Sequence, residues 1–308
     1  MSRVIEPASE RVGRAVLRGL PDIRPTRAST RRVAAADHAV ARGLAIARVY
    51  AFATADFPGA SQSLVFDTDG TTAIGAFIFD PASASSPTTA FTFANGVYGA
   101  LAVPGSNASI GTGINAGGQT IGVYADLADV IHGFVTSGGA VNPVDFPGAT
   151  TTQAIGINDA GQIVGDYIDA AGVEHGYVST GGVFTTVDFP GATGTAAAGI
   201  NTAGDIVGVW SDATSSRGFL LQNGVFTPIA FPLATRTTAF GINDAGEIAG
   251  FYEDAAGNMH GFVFAAGAFS TVDVAGARGT QVTRIKNDGA VSGICVDALT
   301  GQHGLTGR

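Results

Sequence analysis

Four histidines, His132, His175, His260 and His303, recur at one place in successive repeats, and carboxylates recur with them. Asp145, Asp188 and Asp273 each follow their histidine by 13 residues. A second carboxylate precedes the histidine in most repeats, as Asp126, Asp169, Asp212, Asp254 and Asp297, with Asp80 one place late. An imidazole between two carboxylates could act as a general base. It could equally tie neighbouring strands together as a cross-strand pair.

The repeats themselves separate these readings. Folding a hairpin about the glycine turn that follows each histidine sets His132 opposite Asp145, His175 opposite Asp188 and His260 opposite Asp273. Where the repeat has Arg217 the facing position is Ala230, and where it has Ala90 the facing position is Ala102. Histidine and aspartate come and go together within one molecule, as a structural pair should. Four equivalent copies far from any common centre also suit structure better than catalysis. No residue is therefore assigned a catalytic role, and neither the single Cys295 nor the spacing of the histidines offers a zinc site. No phosphate loop, dinucleotide fingerprint or nucleophile elbow is present, so no cofactor is expected.

Departures from the repeat mark a second group. Arg284 and Lys286, the latter the only lysine, interrupt an otherwise aliphatic or small stretch, and Arg236 and Arg278 lie on the connections just before the last two repeats. Gathered near one axis they would form an anion site in an acidic body. Local ion pairs to Asp288, Asp67 or Glu247 are the alternative.

The elements that must position these residues follow from three markers in fixed order. Gly-Ile-Asn occurs at Gly113, Gly156, Gly199 and Gly241, with weaker copies read at Val65-Phe66-Asp67 and Ile285-Lys286-Asn287. His-Gly-aromatic follows, and Phe-Pro-Gly-Ala closes the unit, as at Phe57, Phe146 and Phe189. The period of 42 to 48 residues falls in the range of propeller blades. Within one unit the alternation predicts four short strands, roughly 151–158, 162–169, 174–179 and 183–189, with glycine-marked turns between them.

The phase of the repeat matters as much as its period. Residues 47–57 match the fourth strand of a unit, whereas the last unit stops after its third strand at His303-Gly304-Leu305. A chain that starts on strand four and ends on strand three can close a ring, and His303 then falls beside Asp56. The expectation is an all-β fold, a six-bladed β-propeller of four-stranded antiparallel blades, closed by N-terminal strand pairing in the last blade. It would occupy residues 45–308, after an arginine-rich tail, 1–44, that is partly helical or disordered.

Charge supports this division. Residues 1–48 hold ten of the sixteen basic residues and four acids, while the whole chain carries −9, so the body is strongly acidic and a poor partner for nucleic acid. No apolar run is long enough to span a bilayer. Only 13% of residues are charged and 45% are hydrophobic, as blades buried on both faces require.

In order and spacing the three markers resemble the bacterial extracellular repeat family called HAF, with His-Gly-Phe here in place of its own His-Ala-Phe-like step. The resemblance covers about residue 45 to the end. It implies an exported protein, extracellular or periplasmic, and brings no catalytic residues; residues 1–44 carry no recognisable secretion signal. The function expected is a non-enzymatic binding or scaffold module that takes a protein, a glycan or a small anionic ligand on its loop face. A hydrolase or lyase with a pocket at the axial mouth, and a purely structural surface repeat, are the alternatives.

Overall fold

The computed structural model describes residues 50–79, 88–299 and 301–308. The expected helices within 1–44 and most of the long loop from Asp80 lie outside them.

Six four-stranded antiparallel sheets form a six-bladed β-propeller. Blades 1 to 5 span 62–100, 106–144, 151–187, 194–229 and 236–272. Blade 6 takes three strands from 279–307, and its outer strand is the N-terminal Phe52–Thr54. Phe52 pairs with Gly307, Ala53 with Thr306 and Thr54 with Leu305, and Ala51 and Ala55 extend the ladder by donating to Arg308 O and Gly304 O. In blade 3 the strands are Thr151–Ile157, Ile163–Ile168, Glu174–Thr180 and Val183–Val187, close to the spans expected from alternation.

The first strand of each blade lines the axis, and all six carry a bulge near their ends, between Ala154 and Gly156 in blade 3. The bulge adds one residue, so alignment by residue type alone misplaces the two degenerate blades. The copy in blade 6 is Arg284-Ile285-Lys286, because Arg284 pairs with Ser292 as Gly241 pairs with Ala249. By the same pairing the copy in blade 1 is Asp67-Thr68-Asp69. Lys286 thus replaces the asparagine of the repeat rather than its isoleucine, and Arg284 and Asp67 replace the glycine. That glycine exists because first strands nearly touch: a Cβ on Gly156 would lie 2.5 Å from Ala198 O of the next blade.

Between blades, apolar side chains interleave. At the boundary of blades 2 and 3 the cluster holds Val135 and Val144 from one side and Ala154, Ile157, Ile163, Tyr177 and Phe184 from the other. The phenylalanine of each Phe-Pro-Gly-Ala connection lies flat on an aromatic ring of the next blade. Phe146 stacks on Tyr167 with centroids 3.7 Å apart, Phe231 on Tyr252 at 3.6 Å and Phe57 on Phe77 at 3.8 Å. Its proline and glycine form the following tight turn, with Gly148 at φ 83° and Ala149 N donating to Phe146 O.

Candidate functional site

Charged and amide side chains gather at the axis and at the blade corners on the face that carries the second-to-third-strand loops and the Phe-Pro-Gly-Ala connections.

At the axis Arg284 crosses the channel. Its guanidinium donates to Phe240 O at 3.0 Å, Thr283 O at 2.9 Å, Thr112 O at 3.4 Å and Ile155 O, so it reaches backbone carbonyls of blades 5, 6, 2 and 3. Its Nε lies 3.6 Å from Asp67 Oδ2 of blade 1, and the charged plane rests over the Phe240 ring. Burial pulls the Arg284 pKa down while the Asp67 carboxylate works in the other direction. One side chain at a glycine position therefore fastens five blades and floors the mouth of the channel.

Above it runs a belt of side chains linking each blade to the next. Asn115 donates to Asn158 O at 3.2 Å, Asn158 to Asn201 O at 2.9 Å, Asn201 to Asn243 O at 3.3 Å and Asn243 to Lys286 O at 3.0 Å. Lys286 continues the belt with its Nζ 3.9 Å from Asp67 Oδ1, and Asp67 Oδ2 accepts from Ile114 N. The same asparagines fold their own turns, as Asn158 Oδ1 accepts from Gln162 N. What remains open at this mouth is a depression of about 100 Å³ lined by the belt residues, Asp159, Asp244 and Asn287.

The four basic residues expected to converge do not. Arg284 and Lys286 line this mouth, whereas Arg278 and Arg236 stand at the far ends of their first strands, where Arg236 faces Glu253 at 3.5 Å. Eight residues of extended chain separate Arg278 from Lys286, about 25 Å. Strand direction, not proximity in sequence, decides the face on which each emerges.

At the corners, His132 Nδ1 lies 3.0 Å from Asp145, His175 Nδ1 2.9 Å from Asp188, His260 Nδ1 2.8 Å from Asp273 and His303 Nδ1 3.1 Å from Asp56. The Nε2 atoms face the second carboxylate, 3.6 Å from Asp126 and from Asp169 and 3.4 Å from Asp254 and from Asp297. Tyr124, Tyr167 and Tyr252 stack on the imidazoles of their blades with centroids 5.1 Å apart. In blade 4 an Arg217–Asp212 pair and the Trp210 ring replace this set. In blade 1 the residue at the histidine position is Thr89, across from Phe77, and not Ala90.

These carboxylates also organise their loops. Asp126 and Asp169 are held below the usual range first by the backbone amides of Val130 and Val173. The Asn258 side chain and amide, with His260, bring Asp254 to about 2. For His260, burial disfavours the charged form, but Asp273 and Asp254 outweigh it and the pKa is raised. His303 is raised chiefly by its hydrogen bond to Asp56. Each of these four corners is thus an Asp-His-Asp link across three strands, and no cluster among the described residues has the form of a metal site.

The loop face also exposes large apolar side chains: Phe79, Leu127, Val173, Leu233 and Leu299. Leu233 is 97% exposed and has φ 64°, standing where the other Phe-Pro connections have a left-handed glycine.

Architecture and axial arrangement define a β-propeller whose axis is closed by its own side chains. Among solved structures it resembles TolB from Acinetobacter baumannii, with 10% identity, 77% of this chain and 64% of that chain covered, and a TM-score of 0.56. It also resembles the β-propeller domain of the Trilobed protease from Pyrococcus furiosus, at 10% identity over 81% of this chain and 94% of that one, TM-score 0.52. That domain has an open velcro topology, whereas here Phe52–Thr54 closes the last blade. Likeness at this identity speaks to the fold alone. No protein-family model and no curated protein matches the sequence. No helix among the described residues is long and apolar enough to cross a membrane.

Proposed function

We propose that this propeller is a non-enzymatic binding module that holds a protein partner on its loop face, outside the cytoplasm. The observation that carries the reading is the composition of that face. Apolar side chains from several blades project among carboxylates kept ionised by their own loops, and Leu233 takes a backbone conformation disfavoured for a branched residue in order to stand fully in solvent. A partner presenting basic side chains around an apolar centre is complementary to it. A small anion is not, because the acidic loops repel it, and at the opposite mouth Arg284 spends its donors on carbonyls and Asp67. The resemblance of the repeat markers to an exported family supports the extracytoplasmic setting.

The test is photo-crosslinking of the full-length protein in its source cells. A crosslinking amino acid at position 233 should capture a discrete partner, while one at Val225, on an outer strand away from that face, should not. Capture from both positions alike, or from neither, refutes the reading. Cell fractionation decides the location separately.

A further inference from the structure

The boundary of blades 1 and 2 departs from the other five. At one outer-strand position every other blade places an aromatic ring into the joint with the preceding blade: Phe52, Tyr98, Phe184, Phe226 and Phe269. Blade 2 alone, among the described residues, has Val141 there. Its second strand has Thr120 where blades 3 to 6 have Ile163, Ile206, Ile248 and Val291, and blade 1 faces it with Thr92 in place of a residue such as Val135 or Val178. The joint is consequently unfilled, and a cleft of about 660 Å³ opens between the two blades. That lies within the range of small-molecule pockets, ~300–1,000 Å³.

The lining has a definite chemistry. It bears no charged side chain, in a protein whose other surfaces are rich in carboxylates. Hydroxyls of Thr92, Thr120, Thr136 and Ser137 and the amide of Gln119 share it with Leu101 and Val141. Thr136 Oγ1 accepts from Thr120 N at 2.9 Å and meets the Thr120 hydroxyl at 2.8 Å, and Gln119 Oε1 accepts from Asn115 Nδ2 at 2.9 Å, which leaves the Ser137 hydroxyl and the Gln119 amide nitrogen as lining groups without a protein partner among the described residues. A charged ligand would be desolvated there without a counter-charge. A wholly apolar one would leave the Ser137 hydroxyl and the Gln119 amide nitrogen without a partner. A neutral polyhydroxylated ring, with hydroxyls on its edge and C–H groups on its face, satisfies both walls.

We infer that the cleft between blades 1 and 2 is a binding site for a neutral saccharide, separate from the loop face and independent of any partner held there.

The experiment uses the full chain and defined probes: the methyl glycosides of glucose, galactose, mannose and N-acetylglucosamine, with maltose and cellobiose. Glucuronate and glucosamine serve as charged controls. Saturation-transfer NMR and calorimetric titration should show binding of at least one neutral sugar at millimolar concentration and none of the charged pair. Val141→Phe restores the ring of the other blades, so it should weaken that binding at least ~10-fold while the melting temperature stays or rises. Ser137→Ala, which removes a lining hydroxyl that has no protein partner among the described residues, should weaken it about 5-fold, the worth of one hydrogen bond. Failure of every neutral sugar to bind, equal binding of the charged controls, or binding that survives Val141→Phe overturns the inference. Should Val141→Phe not fold, Ser137→Ala decides: unchanged affinity overturns it. Crosslinking from position 233 is read separately, so either site can fail without the other.

Discussion

Replacing Arg284 by methionine keeps most of the side-chain length and removes the charge that closes the axis. Asp67 would stay buried with only the more distant Lys286 near it, and the carbonyls of Phe240, Thr283, Thr112 and Ile155 would lose a donor. Removing one partner of a buried ion pair costs about 3–5 kcal/mol. Each orphaned carbonyl adds ~1–3 kcal/mol if it stays dry. The mouth above is open, so water enters and recovers much of the second contribution. The expected loss is therefore about 3–5 kcal/mol, read as a lower urea midpoint and a fall in melting temperature of roughly 6–20 °C. Asp67→Asn in the same background removes the stranded charge and should restore part of the loss, so the two changes are strongly non-additive. A single-variant loss below about 1 kcal/mol, or strict additivity, would show that Arg284 is not the pin of the ring.

The remaining expectations concern the corners, the turns and the thiol. The raised pKa values of His260 and His303 give stability that is complete below the unfolded value of about 6.5 and is lost as pH rises through the folded values, so melting temperature should decline across neutral pH. His303→Gln should flatten part of that decline, and an unchanged pH profile would remove His303 from the explanation. The depressed Asp254 acts oppositely: its contribution is present above about pH 4 and is lost as pH falls towards about 2. Leu233→Gly relieves a left-handed leucine and should stabilise the fold by about 0.5–1 kcal/mol in denaturant titration while abolishing crosslink-dependent partner capture at neighbouring loop positions. A destabilised variant would mean that Leu233 is supported by contacts its exposure denies. Burial raises the Cys295 thiol to about 12, so a disulfide reagent should modify it only at the rate of global unfolding; rapid labelling of native protein would contradict the packing of blade 6.

Much of the architecture was legible because the repeat carries its own controls. The turn glycines fix hairpin register, so 13 residues from His132 to Asp145 is simply the length of a hairpin. The phase of the first and last units announced ring closure. Axial chemistry was harder to read, and the reason is the bulge. One extra residue in each first strand leaves the consensus blades aligned with one another but lets a degenerate copy be slid onto the wrong position, as Ile285-Lys286-Asn287 was. Nor does sequence proximity report the face of a propeller. Arg278 and Arg284 lie six residues apart, yet one emerges with the loops and the other disappears into the axis. The missing aromatic ring at Val141 was available from the sequence, since five other copies of that position carry one. It required the strand register to be recognised as a gap.

Closure by the N-terminal strand also sets the order of events during synthesis. Phe52–Thr54 leaves the ribosome before the other strands of the ring, and its partner Gln302–Gly307 after them. At about 5–20 residues per second the first strand waits on the order of 13–50 s before the ladder it belongs to exists. Throughout that interval blades 1 to 5 can assemble in turn, but the sixth remains short of its outer strand and the ring stays unlocked. The waiting strand is three residues long, too short to template pairing with another chain effectively. Closure of the ring therefore waits on synthesis of its last strand, and the propeller locks in a late step that pairs the first strand of the ring with the last.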